Sequence, residues 1–108
     1  MDLAVLVYDL TRDFPKDEQF GLTSQARRAS VSIAANIAEG YGRSSKGSYL
    51  HFLRIAQGSL KEIETHLILA TRLRICTEDA SAPILSETDE LGRMLRALIA
   101  RLEQHQDS

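Results

Sequence analysis

The residues of this 108-residue chain that could carry out chemistry are scattered along it and do not form a known pattern. A two-metal site in a helical bundle takes Glu-x-x-His pairs from two helices, but neither His51 nor His105 has an acidic residue three positions before it. His66 follows Glu62 by four residues, a spacing that predicts a surface contact worth a few tenths of a kcal/mol. The serines have no G-x-S-x-G elbow around them and no suitably placed histidine and acid. We therefore expect no catalytic residue, metal site or cofactor, and the alternative is a metal-dependent or hydrolytic enzyme in a bundle core.

A glycine-containing loop at residues 40–48 resembles a phosphate-binding loop only in part. Gly42 and Gly47 have the required spacing, but Ser48 stands where the lysine is needed, and no strand precedes the loop. The remaining alternative is anion binding at the start of the next helix, where backbone N–H groups are free. Its residues are Arg43, Ser44, Ser45 and Lys46.

The charges are unevenly distributed along a chain whose formal net charge is only -2. Residues 27–61 carry six basic residues against one acidic residue, a net +5, whereas residues 78–108 carry three basic against seven acidic, a net -4. This asymmetry indicates either a phosphate-facing surface or complementary faces of neighbouring helices or subunits. If nucleic acid or another anion is bound, the candidate contacts are Arg27, Arg28, Arg43, Lys46 and Arg54.

The stretch from residue 25 to residue 43 reads as a helix with two apolar faces, and a helix of this kind needs two partners. One face takes residues 22, 26, 29, 33, 37 and 40 at three- and four-residue steps. The second face is a candidate oligomer interface, and it consists of Val31, Ala34, Ala35, Ala38 and Tyr41. Two polar residues, Asn36 and Glu39, interrupt these faces, and we expect them to form a structural polar network with nearby arginines.

Periodic apolar residues predict three further helices, so that the four span about residues 2–13, 23–41, 46–74 and 78–105. Short connections and the lack of any strand pattern predict an all-α fold, an antiparallel up-down four-helix bundle, as one domain over residues 1–108. We expect Thr23 to cap the second helix and the glycines at positions 40 and 42 to end it in a left-handed conformation. Gly58 and Ser59 would allow another backbone to approach the third helix closely.

The start of the last helix has two possible solutions. Thr77 can cap a helix beginning at Glu78, but this places Pro83 beyond the first turn, where a proline removes a hydrogen bond. The alternative is a later start capped by Ser81 or Ser86.

Cysteine use and hydropathy favour a cytoplasmic protein. The single Cys76 cannot form an internal disulfide, which is typical of a reducing compartment. No apolar run approaches the roughly 18–20 residues of a membrane span, and the first residues lack a basic signal-peptide start.

The sequence from Ser32 to Gly40, with Arg27-Arg28 before it and Gly42-Arg43 after it, resembles the signature of a known family. This is the four-helix bundle family encoded in 23S rRNA intervening sequences, whose members are also called S23 ribosomal protein-like. Further matches that carry the resemblance are Phe14-Pro15, Gly21-Leu22, Gln25, Phe52-Leu53, Ala56, Gly58-Ser59 and Glu64-Thr65.

The resemblance implies a small cytoplasmic bundle that assembles with itself, as a ring-like homopentamer, and that has no established enzymatic activity. The chain is also similar to the accessory protein of diversity-generating retroelements, a pentameric bundle that binds a reverse transcriptase and nucleic acid. The partners implied are therefore further copies of the chain and RNA, DNA or a nucleic-acid enzyme, without a membrane. The polar residues matched to the family are Arg27, Arg28, Asn36, Glu39 and Arg43.

Overall fold

The computed structural model describes residues 2–19 and 21–104, and within them the chain forms four α-helices and no strand. The helices are α1 (Asp2–Thr11), α2 (Leu22–Tyr41), α3 (Lys46–Arg72) and α4 (Glu78–Gln104), with a 3-10 turn at Lys16–Glu18. Each helix contacts the next one in the chain, and α4 returns to contact α1. The predicted all-α four-helix bundle is confirmed. The last helix was predicted to end at about residue 105, and this residue and the tail after it lie outside the described residues.

The core lies between the four helices and takes apolar side chains from all of them. Burying an aliphatic side chain of this size contributes about 1.5–3 kcal/mol to stability. Two contacts at each interface show that neighbouring helices are antiparallel. Ser32 and Gly40 of α2 lie against Ser59 and Tyr49 of α3, and Arg54 and Leu60 of α3 lie against Glu103 and Gly92 of α4. The largest buried apolar side chains are Val7, Ile33, Leu50, Leu53, Ile63, Leu67 and Ile84.

Helix α1 ends at Thr11, before the predicted residue 13. The Thr11 hydroxyl donates to the Val7 carbonyl at 2.8 Å, and the Phe14 N–H donates to the Thr11 carbonyl at 3.0 Å in a tighter turn. Pro15 then disfavours helical geometry at Phe14.

The shortness of α1 leaves part of the bundle uncovered. Its 10 residues give a length of about 15 Å, whereas the 27 residues of α3 or α4 give about 40 Å. An open apolar depression of about 440 Å³ lies between α2 and α4, and no residue of α1 lines it. Its apolar lining residues include Ile37, Leu91, Met94 and Leu98.

The predicted Thr23 cap is wrong, because α2 begins one residue before it, at Leu22. Gly21 takes the cap position and makes no side-chain hydrogen bond. The Glu18 carboxylate accepts a hydrogen bond from the Leu22 N–H at 3.3 Å, and its charge suits a helix N-terminus. Thr23 is buried in the first turn.

The predicted left-handed glycine at the end of α2 is also wrong. Gly42 is right-handed, with φ -80° and ψ -3°. Gly40 is required for close packing, because a Cβ atom there would lie 3.0 Å from both Tyr49 and Phe52 of α3. The glycine therefore allows α2 and α3 to approach each other next to their connecting loop.

A left-handed residue occurs at the end of α3, where the sequence gives no glycine to mark it. Arg74 has φ 62°, and its N–H donates to the Thr71 carbonyl at 3.1 Å. The next N–H, of Ile75, donates to the Ala70 carbonyl at 2.8 Å. These two bonds form a Schellman motif, which satisfies carbonyl groups at the end of the helix.

Helix α4 follows the first of the two predicted solutions. It begins at Glu78, and the Thr77 hydroxyl caps it by accepting a hydrogen bond from the Ala80 N–H at 3.1 Å. Pro83 lies inside the helix and leaves the Asp79 carbonyl without its usual donor. Both residues are exposed, so water can hydrate that carbonyl.

The close approach expected at Gly58 and Ser59 occurs at Ser59, which contacts Ser32 of α2, whereas the space beside Gly58 is open in the described chain. No atom outside its own stretch of helix comes within 4 Å of the position that a Cβ would take. None of the helices in the described part of the chain is long and apolar enough to cross a membrane.

Candidate functional site

The residues that the sequence singles out form two groups on α2 and α3, an apolar surface and a set of basic residues. The first is the outer face of α2, defined as Val31, Ala34, Ala35, Ala38 and Tyr41. Val31 is 48% exposed and Tyr41 is 79% exposed, whereas the opposite face of the helix packs on the core. Ala35 and Ala38 are exposed, and Ala34 is half-buried.

The apolar surface continues from the outer face of α2 onto α1. Tyr8 and Val31 line the same open depression, and Val5, one turn before Tyr8, is 59% exposed. Arg27 and Arg28 line the same depression, so basic side chains stand beside the apolar ones there.

Arg27 has a structural role between α1 and α2. Its Nε donates to the Thr11 hydroxyl at 2.8 Å, and its guanidinium carbon lies 4.6 Å from the centre of the Tyr8 ring. A cation over an aromatic face is attracted by the ring quadrupole. Arg27 is half-buried, so less of it faces solvent than of its neighbour Arg28.

Arg28 and Lys46 are the more accessible of the predicted anion contacts on α2 and at the start of α3. Arg28 is exposed, and its only described polar contact is a long one of 3.5 Å to the Ser24 hydroxyl. Lys46 is exposed in the first turn of α3. The Ser45 hydroxyl accepts a hydrogen bond from the Ser48 N–H at 3.1 Å, so this helix start already has an internal cap.

Arg43 and Arg54 each have a carboxylate partner. Arg43 pairs with Glu39 one turn earlier, and its guanidinium carbon lies 4.9 Å from the centre of the Phe52 ring. Arg54 on α3 pairs with Glu103 on α4 at 2.9 Å, which is the kind of complementary contact between helices that the charge asymmetry allows. Both arginine side chains stay about half exposed, at 46% and 55%.

Asn36 and Glu39 make separate contacts: Glu39 has one of the expected arginine partners, Arg43, whereas Asn36 contacts a serine. The Asn36 amide donates to the Ser32 carbonyl at 2.8 Å and to the Ser32 hydroxyl at 3.0 Å. The Ser32 hydroxyl lies 2.9 Å from the Ser59 hydroxyl across the α2–α3 interface. Glu39 is exposed, and its described polar contact is with Arg43.

Sequence reasoning missed Ser59 and Thr11 as partners in these contacts. A signal for Ser59 existed, since it stands one turn after Ile55 and next to Leu60 on a helix whose apolar period it interrupts. Thr11 could not be found in this way, because the pairing with Arg27 depends on how α1 is placed against α2.

The side chains that could bind metal or act as bases do not come together in the described chain. No group of three or more His, Cys, Asp or Glu residues is placed to hold a metal ion among the residues that the structure describes. The expected Glu62–His66 contact is absent from the described hydrogen bonds, and the His66 Nε2 atom is buried without a partner.

Comparison with known proteins supports the resemblance seen in the residues. The model of the 23S rRNA-intervening sequence protein family matches residues 1–97. A solved structure from Bacteroides thetaiotaomicron, described as a protein of unknown function from the S23 ribosomal protein family, is similar at 26% identity and a TM-score of 0.81. That match covers 91% of this chain and 92% of the other. No curated protein matches the chain.

Proposed function

The chain belongs to the 23S rRNA-intervening sequence protein family, and on that premise we propose that it is a non-enzymatic scaffold that assembles with itself. The observation that carries the proposal is the outer face of α2, which is apolar and exposed in a single chain. The resemblance implies a homopentamer, and we adopt that state as part of the proposal.

The small side chains of the outer face explain how a second copy would bind. Ala35 and Ala38 project only a methyl group, so a partner helix can approach the α2 backbone closely. Val31 and Tyr41 stand one turn or more to either side and add larger apolar area to the contact.

Light scattering at several concentrations tests the assembly. We expect a mass of about five times the 12.0 kDa of one chain. Ala38→Arg should dissociate the assembly, because a long charged side chain cannot be buried in a close helix contact. The matched control is Ala100→Arg, at an exposed position of α4, which should leave the mass unchanged. A persistent monomer of the parent protein would refute the proposal.

We further propose that the assembly contacts RNA, DNA or a nucleic-acid enzyme through the basic residues of α2 and α3. The accessible members of this set are Arg28, Lys46 and Arg54, and about half of the Arg43 side chain is exposed as well. Residues 27–61 have a net charge of +5, from six basic residues against one acidic, and Arg54 is the member of this set with a carboxylate partner on α4.

Binding of a single-stranded RNA and a DNA oligonucleotide at increasing salt tests this second part. Contacts to phosphates make the affinity fall steeply with salt, and loss of one contact in Arg28→Ala should reduce the salt slope by about 1. Arg12→Ala removes an exposed arginine directly after α1 and serves as the control for net charge. Binding that does not respond to salt, or the same slope in both variants, would contradict a role of Arg28.

A further inference from the structure

A cleft of about 350 Å³ lies between α3 and α4, and only residues of these two helices line it. It shares Arg54 with the basic residues considered above but is otherwise separate from them. Pockets of this size are large enough for a small ligand. The lining residues that the argument uses are Arg54, Gln57, Gly58, Lys61, Gly92 and Arg96.

Two glycines on facing helices keep this cleft open. Gly58 stands near the middle of α3, where glycine costs about 1 kcal/mol of stability relative to alanine. The space beside Gly58 is empty in the described chain, since a Cβ atom placed there would have no other atom within 4 Å. Gly92, on α4, is buried, and a Cβ there would lie 3.3 Å from the Arg96 guanidinium.

Three cationic and two anionic side chains line the open space, a net charge of +1. Arg54 and Lys61 stand about one turn before and one turn after Gly58, and Arg96 stands one turn after Gly92. The Arg96 guanidinium folds back over Gly92 and makes no hydrogen bond or ion pair with the described residues.

The two carboxylates at the cleft do not neutralise Arg96. Glu64 lies 3.6 Å from Lys61, and Asp89 pairs at 2.9 Å with Arg93, one turn further along α4. Arg54 is held by Glu103 at 2.9 Å with 55% of its side chain exposed. An anion in the cleft would therefore find one unpaired guanidinium and two further cationic groups near it.

We propose that the α3–α4 cleft binds the phosphate groups of a small anionic ligand. Arg96 provides a planar fork that can donate two parallel hydrogen bonds to phosphate oxygens. Lys61 and the Gln57 amide provide further donors, and Gly58 allows the ligand to lie against the α3 backbone. Phosphate oxygens are numerous enough to accept hydrogen bonds from all three of these donors at once, which favours a diphosphate over a single carboxylate. The proposal goes beyond the scaffold function and does not depend on it.

NMR of the isotope-labelled full chain tests the proposal, with sodium pyrophosphate as the probe and sodium chloride at equal ionic strength as the reference. We expect saturable shifts at Gly58, Gly92 and the Arg96 side chain, without comparable shifts at Arg28 or Lys46. A single-stranded oligonucleotide is the second probe. If only the oligonucleotide shifts the cleft residues, the phosphates belong to nucleic acid and the small-ligand proposal fails.

Two variants with matched controls separate the cleft from general charge effects. Gly58→Leu fills the cleft without removing a charge and replaces a poor helix former, so its fold should be at least as stable as the parent. Arg96→Gln removes the unpaired charge. We expect each to weaken pyrophosphate binding by about tenfold, the value of one charge-assisted contact. Gly47→Leu, equally open but outside the cleft, and Arg101→Gln should bind as the parent does.

Several results would overturn the proposal. These are the lack of saturable shifts, shifts spread evenly over all basic residues, or parent-like binding by Gly58→Leu. A change in the mass of the assembly formed by Gly58→Leu, measured by light scattering, would also overturn the proposal. It would mean that a second copy of the chain fills the cleft.

Discussion

Arg74 is the residue whose backbone conformation fits its side chain least well. It takes the left-handed conformation at the end of α3, with φ 62°, where helices usually place glycine. A Cβ atom in this conformation costs roughly 1–2 kcal/mol. The Schellman hydrogen bonds from Arg74 and Ile75 hold the backbone there, and the chain then reverses toward α4.

Replacing this residue should therefore stabilise the protein. We expect Arg74→Gly to raise the free energy of unfolding by about 0.5–1 kcal/mol, because relief of strain exceeds the added freedom of the unfolded chain. Urea denaturation measures the change. The control is Arg72→Gly, which puts glycine in the last turn of α3 and should lower stability by up to about 1 kcal/mol. A loss of stability in both variants would contradict the strain at Arg74.

At the scale of residues, the sequence indicated which side chains make polar contacts better than it indicated their partners. Asn36 interrupts the apolar faces of α2 and was expected to contact arginines, but its partner is Ser32. Ser32 and Ser59 are 27 positions apart and meet only because α2 and α3 pack antiparallel. A contact of this kind depends on the helix register, which no local pattern contains.

At the scale of elements, α1 is attached to the bundle by a small number of contacts. Leu3 and Val7 are its fully buried apolar residues. Arg27 of α2 adds a hydrogen bond to Thr11 and a cation–π contact to Tyr8, so that one side chain holds the last turns of α1. Arg27 thus joins two helices, in addition to the anion contact that the sequence suggests for it.

We expect Arg27→Met to lower the free energy of unfolding by about 1–2 kcal/mol. Methionine keeps the length and apolar stem of the side chain but loses the hydrogen bond and the cation–π contact. Urea denaturation followed by circular dichroism measures the change. Arg28→Met is the control, because Arg28 is exposed and has only the long contact to Ser24, and its effect should stay within about 0.5 kcal/mol. Equal effects of the two variants would refute the structural role of Arg27.

The helices themselves were predictable, whereas their ends were less so. Apolar periodicity located all four because each buries one continuous face, but the cap of α2 comes from Glu18 in the preceding turn, not from Thr23. The left-handed position after α3 is an arginine, which carries no sequence signal for that conformation. The start of α4 remained ambiguous in the sequence, because Pro83 argues against the helix that Thr77 begins.

At the scale of the whole molecule, each surface carries a different kind of side chain. The outer face of α2 is apolar, the predicted anion contacts lie on α2, on α3 and in the loop between them, and the cleft between α3 and α4 combines glycines with charged side chains of both signs. The net charge of +5 over residues 27–61 predicts a basic surface on α2 and α3. It could not predict the cleft, because Gly58 and Gly92 come together only when α3 and α4 pack antiparallel.

The different lengths of the helices also determine how the bundle fluctuates in solution. Because α1 is less than half as long as α4, releasing it exposes much less apolar surface than releasing any other helix. Local openings of a protein occur first in units with the smallest free energy of release. Backbone amides of α1 should therefore exchange their hydrogens with solvent before those of α2 and α3. The native ensemble then includes a minor three-helix form in which Arg27 loses its contacts with Thr11 and Tyr8.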